Sequence, residues 1–337
     1  MKKAVLLINI GSPNNFTLSG TRKYLQKFLM DKRVIDIPFI FRWLLVNTII
    51  APFRAPKSLQ AYQKILIHQQ SPLLYYSQFL KKKLQDELGN NYLVQIAMMY
   101  GKPYVKDIMN ELQTQPIEEL IIIPLYPQYA SSTTGASLEQ VFQHLQHWQN
   151  IPPIRTIHSF YQHPEFIDLW AKHIHQHLPE EYDFILFSYH GLPKRQIFKA
   201  DAAYKDTQCQ LNNCCESSQN TRPFCYRKHC VQTTKQLVNA LKLDPAKTGL
   251  CFQSRLGSSE WLKPYTSEYL KILALQGIKK LVVVSPAFVT DCLETLYEIQ
   301  IEYAHLFKQH GGKELTLIPS LNDKDEWIQF LYHQVTG

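Results

Sequence analysis

Short apolar runs alternate along the chain with stretches whose apolar residues recur every three or four positions. Ala4–Ile10, Leu93–Met99, Leu120–Leu125, Phe184–Ser188, Gly249–Gln253 and Leu281–Ser285 are the runs. Leu74–Leu88, Val105–Leu112 and Leu138–Trp148 are among the amphipathic stretches. A run of this length predicts a strand buried on both faces, and helical stretches between such strands predict parallel βαβ units. The expected fold is therefore α/β, with doubly wound sheets covered by helices on both faces.

The two halves of the chain resemble each other. Leu6-Leu7-Ile8-Asn9-Ile10-Gly11-Ser12-Pro13 matches Ile185-Leu186-Phe187-Ser188-Tyr189-His190-Gly191-Leu192-Pro193 in kind, each a buried run that breaks at Gly-x-Pro. The run at Ile117–Pro124 similarly matches the one at Ile278–Ser285. The reading is two similar Rossmann-like domains joined near Ile151-Pro152-Pro153, set against the plainer alternative that all α/β strands look alike. The expected boundaries are 1–155, with the C-terminal helix 322–337 packed on that domain, and 156–321, which carries a cysteine-rich insertion at 205–230. Open parallel sheets bind ligands beyond the carboxyl ends of their strands, so the residues that follow each run are the ones to search for chemistry.

The apolar start ends at Gly11-Ser12-Pro13 without a cleavage signal and reads as a strand, which leads to the expectation of a cytoplasmic protein. The most apolar window, Val34 to Phe53, is interrupted by Asp36, Pro38, Arg42, Asn47 and Pro52, too often for a spanning helix. It reads either as a buried helix with its loops or as an exposed apolar lip that dips into a membrane interface or covers a flat ligand. The 36 Lys and Arg against 28 Asp and Glu leave a net charge of +8. The cations are scattered, so a nucleic-acid stripe is not expected and an anionic ligand or membrane surface is.

Candidate chemistry lies where the runs end. His190 stands at a strand end before Gly191, and an imidazole titrating near neutrality suits proton transfer or metal contact. Asp291, Glu294, Glu298 and Glu302 follow another run at helical spacing. They form either a solvated face or a row of carboxylates that collects cations and relays protons. Tyr126 and Tyr129 sit in a hydroxyl-rich loop, and no glycine-rich phosphate loop accompanies it. Cys209, Cys214, Cys215, Cys225 and Cys230 give C-x4-C-C-x9-C-x4-C in a polar stretch. In a cytosolic protein such spacing indicates zinc or an iron–sulfur cluster, against free thiols.

Together these segments resemble the ferrochelatases, which insert ferrous iron into protoporphyrin IX to form protohaem, the last step of haem synthesis. The resemblance covers nearly the whole chain. It is carried by the block from Leu6 to Pro13, by Pro124-Leu125-Tyr126-Pro127-Gln128-Tyr129, and by Phe187-Ser188-Tyr189-His190-Gly191-Leu192-Pro193. Cys251-Phe252-Gln253-Ser254-Arg255-Leu256-Gly257 with Glu260-Trp261-Leu262, and Asp291-Cys292-Leu293-Glu294-Thr295-Leu296, add to it.

The resemblance implies a chelatase-type fold with the porphyrin in a cleft between two domains. It implies His190 and Glu294 as the catalytic pair, and His190, Glu294, Asp291 and Glu298 as the groups that meet the metal. Tyr126, Tyr129, Trp261, Ile10 and Tyr100 would line the porphyrin, and residues 34–56 would be the lip, in peripheral contact with the cytoplasmic membrane. Fe²⁺ and porphyrin are the implied partners, in a monomer or homodimer. Some bacterial members carry an internal cysteine segment that binds [2Fe–2S]; zinc is the alternative here, and Cys230 is the least secure ligand. Two positions depart from the family pattern: Met99 replaces an arginine in Met-Arg-Tyr, and Ala202-Ala203 before Tyr204 replaces a Pro-containing stretch. A haem- or metal-sensing protein and a cobalt chelatase of the same fold are the rival readings.

Overall fold

Each of the six apolar runs becomes a strand, and each strand end falls within three residues of the run that predicts it. The computed structural model describes residues 1–202, 209, 211, 213–216, 222–257 and 259–337. It divides into two units, one of Met1–Tyr126, Ser131–Ser159 and Asn322–Gly337, the other of Pro127–Ala130 and Phe160–Leu321.

In the first unit, β1 (Lys2–Asn9), β2 (Tyr92–Met98), β3 (Ile117–Pro124) and β4 (Ile154–Thr156) form a parallel sheet in the order β2-β1-β3-β4. In the second, β5 (Phe184–His190), β6 (Thr248–Gln253), β7 (Lys280–Val284) and β8 (Glu314–Leu317) form another in the order β6-β5-β7-β8. The two orders are the same arrangement. In each, the chain moves from the first strand to one side and then returns to the other. The direction of winding therefore reverses at the carboxyl ends of β1 and β5, where doubly wound folds place their ligands. Both of these strands are central, and their apolar residues are buried, which is why they read as unbroken apolar runs.

The edge strands β4 and β8 are short and partly exposed, and no apolar run announces them. The last helix, Asp325–Thr336, belongs to the first unit. Lys83 Nζ donates to the Asp323 carbonyl at 2.6 Å and to the Asp325 carboxylate at 3.0 Å, and Arg155 Nη1 donates to the Gln334 carbonyl at 2.9 Å.

The segment from Phe39 to Gln63 is helical throughout, with π-wound turns over Leu45–Ile50. It buries Val46, Ala51, Ala55, Ala61 and Tyr62 but leaves much of its apolar surface outside: Ile40 is 69 % exposed and Phe53 78 %, and Phe39, Phe41, Trp43, Leu44 and Ile49 are exposed with them. The helical segment is therefore buried along one side and presents an apolar surface outward on the other. Among the described residues no helix is long and apolar enough to cross a membrane.

Candidate active site

At the end of β5 the chain must turn away from β6 at close quarters. Gly191 N donates to the Gln253 carbonyl at 2.8 Å. A Cβ on Gly191 would lie 2.9 Å from that carbonyl oxygen and 3.1 Å from the Trp261 ring, so only glycine fits without displacement. Gly191→Ala is expected to destabilise the protein by about 1–3 kcal/mol through overpacking, measured as a fall in the denaturant midpoint. An unchanged midpoint would show that the turn can relax.

The turn sets His190, which is half-buried with Trp261 and Phe288 on its flanks at ring separations of 6.4 and 6.5 Å. His190 Nδ1 lies 2.7 Å from the Gly191 carbonyl oxygen. A carbonyl only accepts, so the hydrogen sits on Nδ1 and the neutral ring keeps its lone pair on Nε2. That is the arrangement of a proton acceptor. Tyr226 OH donates to the His190 carbonyl at 2.8 Å and fixes the backbone behind it.

The acids after β7 enter π-wound turns over Leu293–Tyr303, a winding that often marks functional sites. The helix starts at Leu293, with Cys292 as its cap, so Asp291 stands outside it. The Asp291 carboxylate is buried, accepting from Thr295 Oγ1 at 2.9 Å and Ser320 N at 3.2 Å. Glu298 is held on every side: Ser254 N and Tyr303 OH donate to Oε1 at 2.9 and 2.8 Å, and Gln253 Nε2 and Ser254 Oγ donate to Oε2 at 3.1 and 2.5 Å. Ser254 takes φ +65° to present both groups, a strained conformation for a non-glycine residue. Gln253 Nε2 also donates to the Glu294 carbonyl at 2.9 Å, which ties the two acid positions to the end of β6.

Burial, helped by the Glu294 carboxylate, lifts the Glu298 carboxyl above the ordinary range, against the pull of Ser254, Tyr303 and the His190 charge. Glu294 and His190 are therefore both close enough to Glu298 to act on its carboxyl. Glu302, on the same helix, is exposed. A raised carboxyl favours the folded state most below the ordinary value of about 4.3, and that contribution fades as pH rises through the raised value. Glu298→Gln, which does not titrate, is expected to lack this decline and to gain in melting temperature relative to wild type from pH 4.5 upward. Parallel melting curves across that range would contradict it.

The remaining sequence candidates are distributed over both units. Trp261 is buried beside His190, with Nε1 donating to Ser259 Oγ at 3.2 Å. Tyr129 is half-buried, its ring against Phe224 at 5.0 Å and its N–H donating to His229 Nδ1 at 3.2 Å. In the first unit, Ile10 and Tyr100 meet at the ends of β1 and β2, where Tyr100 N donates to the Ile10 carbonyl at 3.1 Å. The glycines beside them allow it: a Cβ on Gly101 would fall 2.4 Å from the Ser12 carbonyl. Tyr100 OH donates to Asp31 Oδ2 at 2.8 Å, and burial with the Asp31 charge holds its proton firmly. Burial does the same to Tyr126, whose hydroxyl is enclosed at the end of β3.

Of the five clustered cysteines, Cys214 and Cys215 lie near enough to act on the Cys209 thiol, Cys209 and Cys214 on that of Cys225, and Cys215 on that of Cys230, and the Cys215 and Cys225 thiols share a hydrogen bond. Cys230 is fully buried beside Tyr226. The segment is anchored by the buried Arg222–Asp201 ion pair at 2.8 Å and by Cys209 N donating to Asp201 Oδ2 at 3.1 Å. Among the described residues no group of three or more His, Cys, Asp or Glu is arranged to hold a metal ion. Tyr204 lies outside the described residues.

A sequence profile of the family described as Ferrochelatase matches residues 2–337. A Legionella pneumophila (strain Philadelphia 1) protein named Ferrochelatase is 43 % identical over 329 residues, 98 % of this chain and 97 % of its own length. A Coxiella burnetii (strain Dugway 5J108-111) protein of the same name is 40 % identical over 328 residues, 97 % of this chain and 91 % of its own. Among solved structures, SirB from Bacillus subtilis with Fe3+ covers 99 % of this chain and 94 % of its own at a TM-score of 0.52 and 13 % identity, a likeness of fold.

Proposed function

The chain belongs to the ferrochelatase family, an enzyme of the chelatase class, and from that premise we propose that it inserts Fe²⁺ into protoporphyrin IX to form protohaem. The observation that carries the reading is the grouping of His190 and Glu294 around Glu298 at the carboxyl ends of one sheet, near enough for both to act on the Glu298 carboxyl.

Metallation requires two pyrrole N–H protons to leave, the iron to shed water, and the flat ring to bend so that its nitrogens are exposed. His190 Nε2 takes one pyrrole proton, and the second passes to the carboxylates beside it. Glu294 meets the incoming iron and Glu298 passes protons onward, its raised carboxyl suited to holding one. Asp291, tied to Thr295 and Ser320, shapes the entry to this helix and meets the metal least directly. Trp261, Tyr129, Tyr126, Tyr100 and Ile10 are the proposed ring contacts, which hold the substrate bent and so favour the transition state over the flat ground state. The test is anaerobic metallation by the purified protein with Fe²⁺ or Co²⁺ and either protoporphyrin or coproporphyrin. Haem formed fastest from protoporphyrin and Fe²⁺ is the expected result. Preference for Co²⁺ would replace it with a cobalt chelatase, and no metalloporphyrin would overturn the reading.

The exposed apolar surface of residues 34–56 is proposed to seat the protein peripherally on the cytoplasmic face of a membrane, supported by Phe41 and Phe53 standing in solvent. Flotation with anionic vesicles is expected for wild type and lost in Phe41→Glu/Phe53→Glu; flotation of both or of neither would contradict it.

For the cysteine segment the proposal is a [2Fe–2S] cluster, with zinc as the alternative. The proximity of Cys209, Cys214, Cys215 and Cys225 and their spacing support it. The described arrangement does not itself form a metal site, and no step of the reaction runs through a cluster. Anaerobically purified protein is expected to absorb between about 400 and 600 nm, as iron–thiolate clusters do; colourless protein carrying zinc would reject iron–sulfur.

A further inference from the structure

The helix Tyr226–Ala240 meets both the end of β5 and the Tyr129 loop. β5 pairs with β7 only as far as Phe187, and among the described residues the strand partner left to His190 is Gln253 of β6. The planar peptide unit between His190 and Gly191 is nevertheless held at both its polar atoms. Its carbonyl accepts from Tyr226 OH at 2.8 Å, and its N–H donates to the Gln253 carbonyl at 2.8 Å. The next carbonyl along, that of Gly191, is the one that accepts from His190 Nδ1 at 2.7 Å. The tilt of that one peptide unit therefore governs which ring nitrogen carries the hydrogen and where Nε2 points. Tyr226 is buried, and burial, followed by Cys230 one turn on, holds its phenol proton, so it stays a donor.

Three residues on, His229 does for the loop what Tyr226 does for β5. His229 is fully buried, and its Nε2 lies 2.9 Å from the Pro223 carbonyl oxygen. A carbonyl only accepts, so the hydrogen sits on Nε2 and the Nδ1 lone pair accepts from Tyr129 N–H at 3.2 Å. The ring lies nearly flat on that of Tyr161 at 3.8 Å, which fixes its plane. One further turn along, Thr233 Oγ1 accepts from Gln128 Nε2 at 3.1 Å. Positions 226, 229 and 233 are spaced i, i+3 and i+7, so one face of a single helix grips both elements.

We propose that this face of the helix Tyr226–Ala240 is a positioning element, in which Tyr226 aims the His190 imidazole for proton transfer and His229 holds the Tyr129 loop for contact with the porphyrin. The inference rests on the proposed function for the identity of the substrate and the roles of His190 and Tyr129. Each of the two residues acts through another. The proton acceptor matters only in the reaction, whereas the loop already matters when the macrocycle binds, so the two residues bear on different kinetic constants.

The test is steady-state metallation with Fe²⁺ and protoporphyrin, together with nitrogen NMR spectra of the histidine rings, on wild type, Tyr226→Phe, His229→Leu and His229→Asn. Tyr226→Phe keeps the ring and loses only the hydroxyl. It is expected to lower kcat about tenfold or more with KM little changed, as misplacement of a reacting group does. It is also expected to convert the His190 signal, identified by its absence from His190→Gln, from the Nδ1–H tautomer to a mixture of the two. His229→Leu is expected to raise KM about two- to tenfold, the size of one aromatic contact, and to lower kcat by less than that. His229→Asn, whose Oδ1 takes the place of Nδ1 as acceptor for Tyr129 N–H, is expected to recover most of the KM, and it decides this arm if His229→Leu does not fold. An unchanged His190 tautomer in Tyr226→Phe, or the same division of losses between kcat and KM in the Tyr226 and His229 variants, would overturn the positioning roles and leave the proposed function standing. Wild type that forms no metalloporphyrin would overturn both.

Discussion

His190→Ala is expected to lower the rate of porphyrin metallation by about 10²–10⁴-fold, the usual contribution of a positioned general base, with porphyrin affinity changed little. The asymmetry follows from the geometry. The ring's Nδ1 is committed to the Gly191 carbonyl, so Nε2 is the atom left for substrate, and it acts on a proton that moves only in the reaction. Binding of the macrocycle draws instead on apolar and aromatic area, of which the imidazole supplies a small part. Loss of interaction confined to the transition state lowers kcat and kcat/KM together. His190→Gln would keep a polar group of similar length without a basic nitrogen, and it is expected to be as inactive as alanine. Single-turnover formation of the haem Soret band checks both. A His190→Ala enzyme that metallates near the wild-type rate would remove His190 from the reaction.

Glu294→Ala is expected to cost about 10²-fold or more in the same assay. Glu302→Ala, two turns further along and exposed, is expected to leave the rate within a factor of two of wild type, as exposed positions away from special features usually do. The two substitutions delete the same charge from the same helix, so a general effect of charge or helix stability would affect both. Glu294→Ala carries a second signature. The Glu294 charge helps to raise the Glu298 carboxyl. Its removal should let Glu298 titrate at lower pH and move the acid limb of the pH–rate profile in that direction. An unmoved limb would separate the two carboxylates.

Much of the fold was legible in the sequence because six of the eight strands bury half or more of their side chains, and burial leaves an apolar run. β4 and β8 escaped because they are short outer strands with no fully buried residue: Ile154–Thr156 and Glu314–Leu317 leave no run to read, unlike the outer strands β2 and β6. His190 was legible because it ends an apolar run before a glycine. The acids were placed on one α-helical face; the chain instead winds as a π-helix from Leu293, for which no residue pattern gives notice, and Asp291 falls outside it. The residues that hold Glu298 were invisible as such. Gln253 and Ser254 merely follow a strand, Tyr303 lies five residues beyond the acid, and nothing in a serine announces φ +65°. Arg42 read as an interruption in an apolar lip, because a six-residue helix is too short for its periodicity to say which side faces in.

The claim on which the account turns is that the imidazole and the carboxylates act as a single proton- and metal-handling unit. Comparing metallation rates of His190→Ala, Glu294→Ala and the double variant tests it most directly, since groups that act together are grossly non-additive. The account predicts a double variant little slower than His190→Ala alone. A double variant slowed by the full product of the two single effects would show that the two groups act independently and would contradict it.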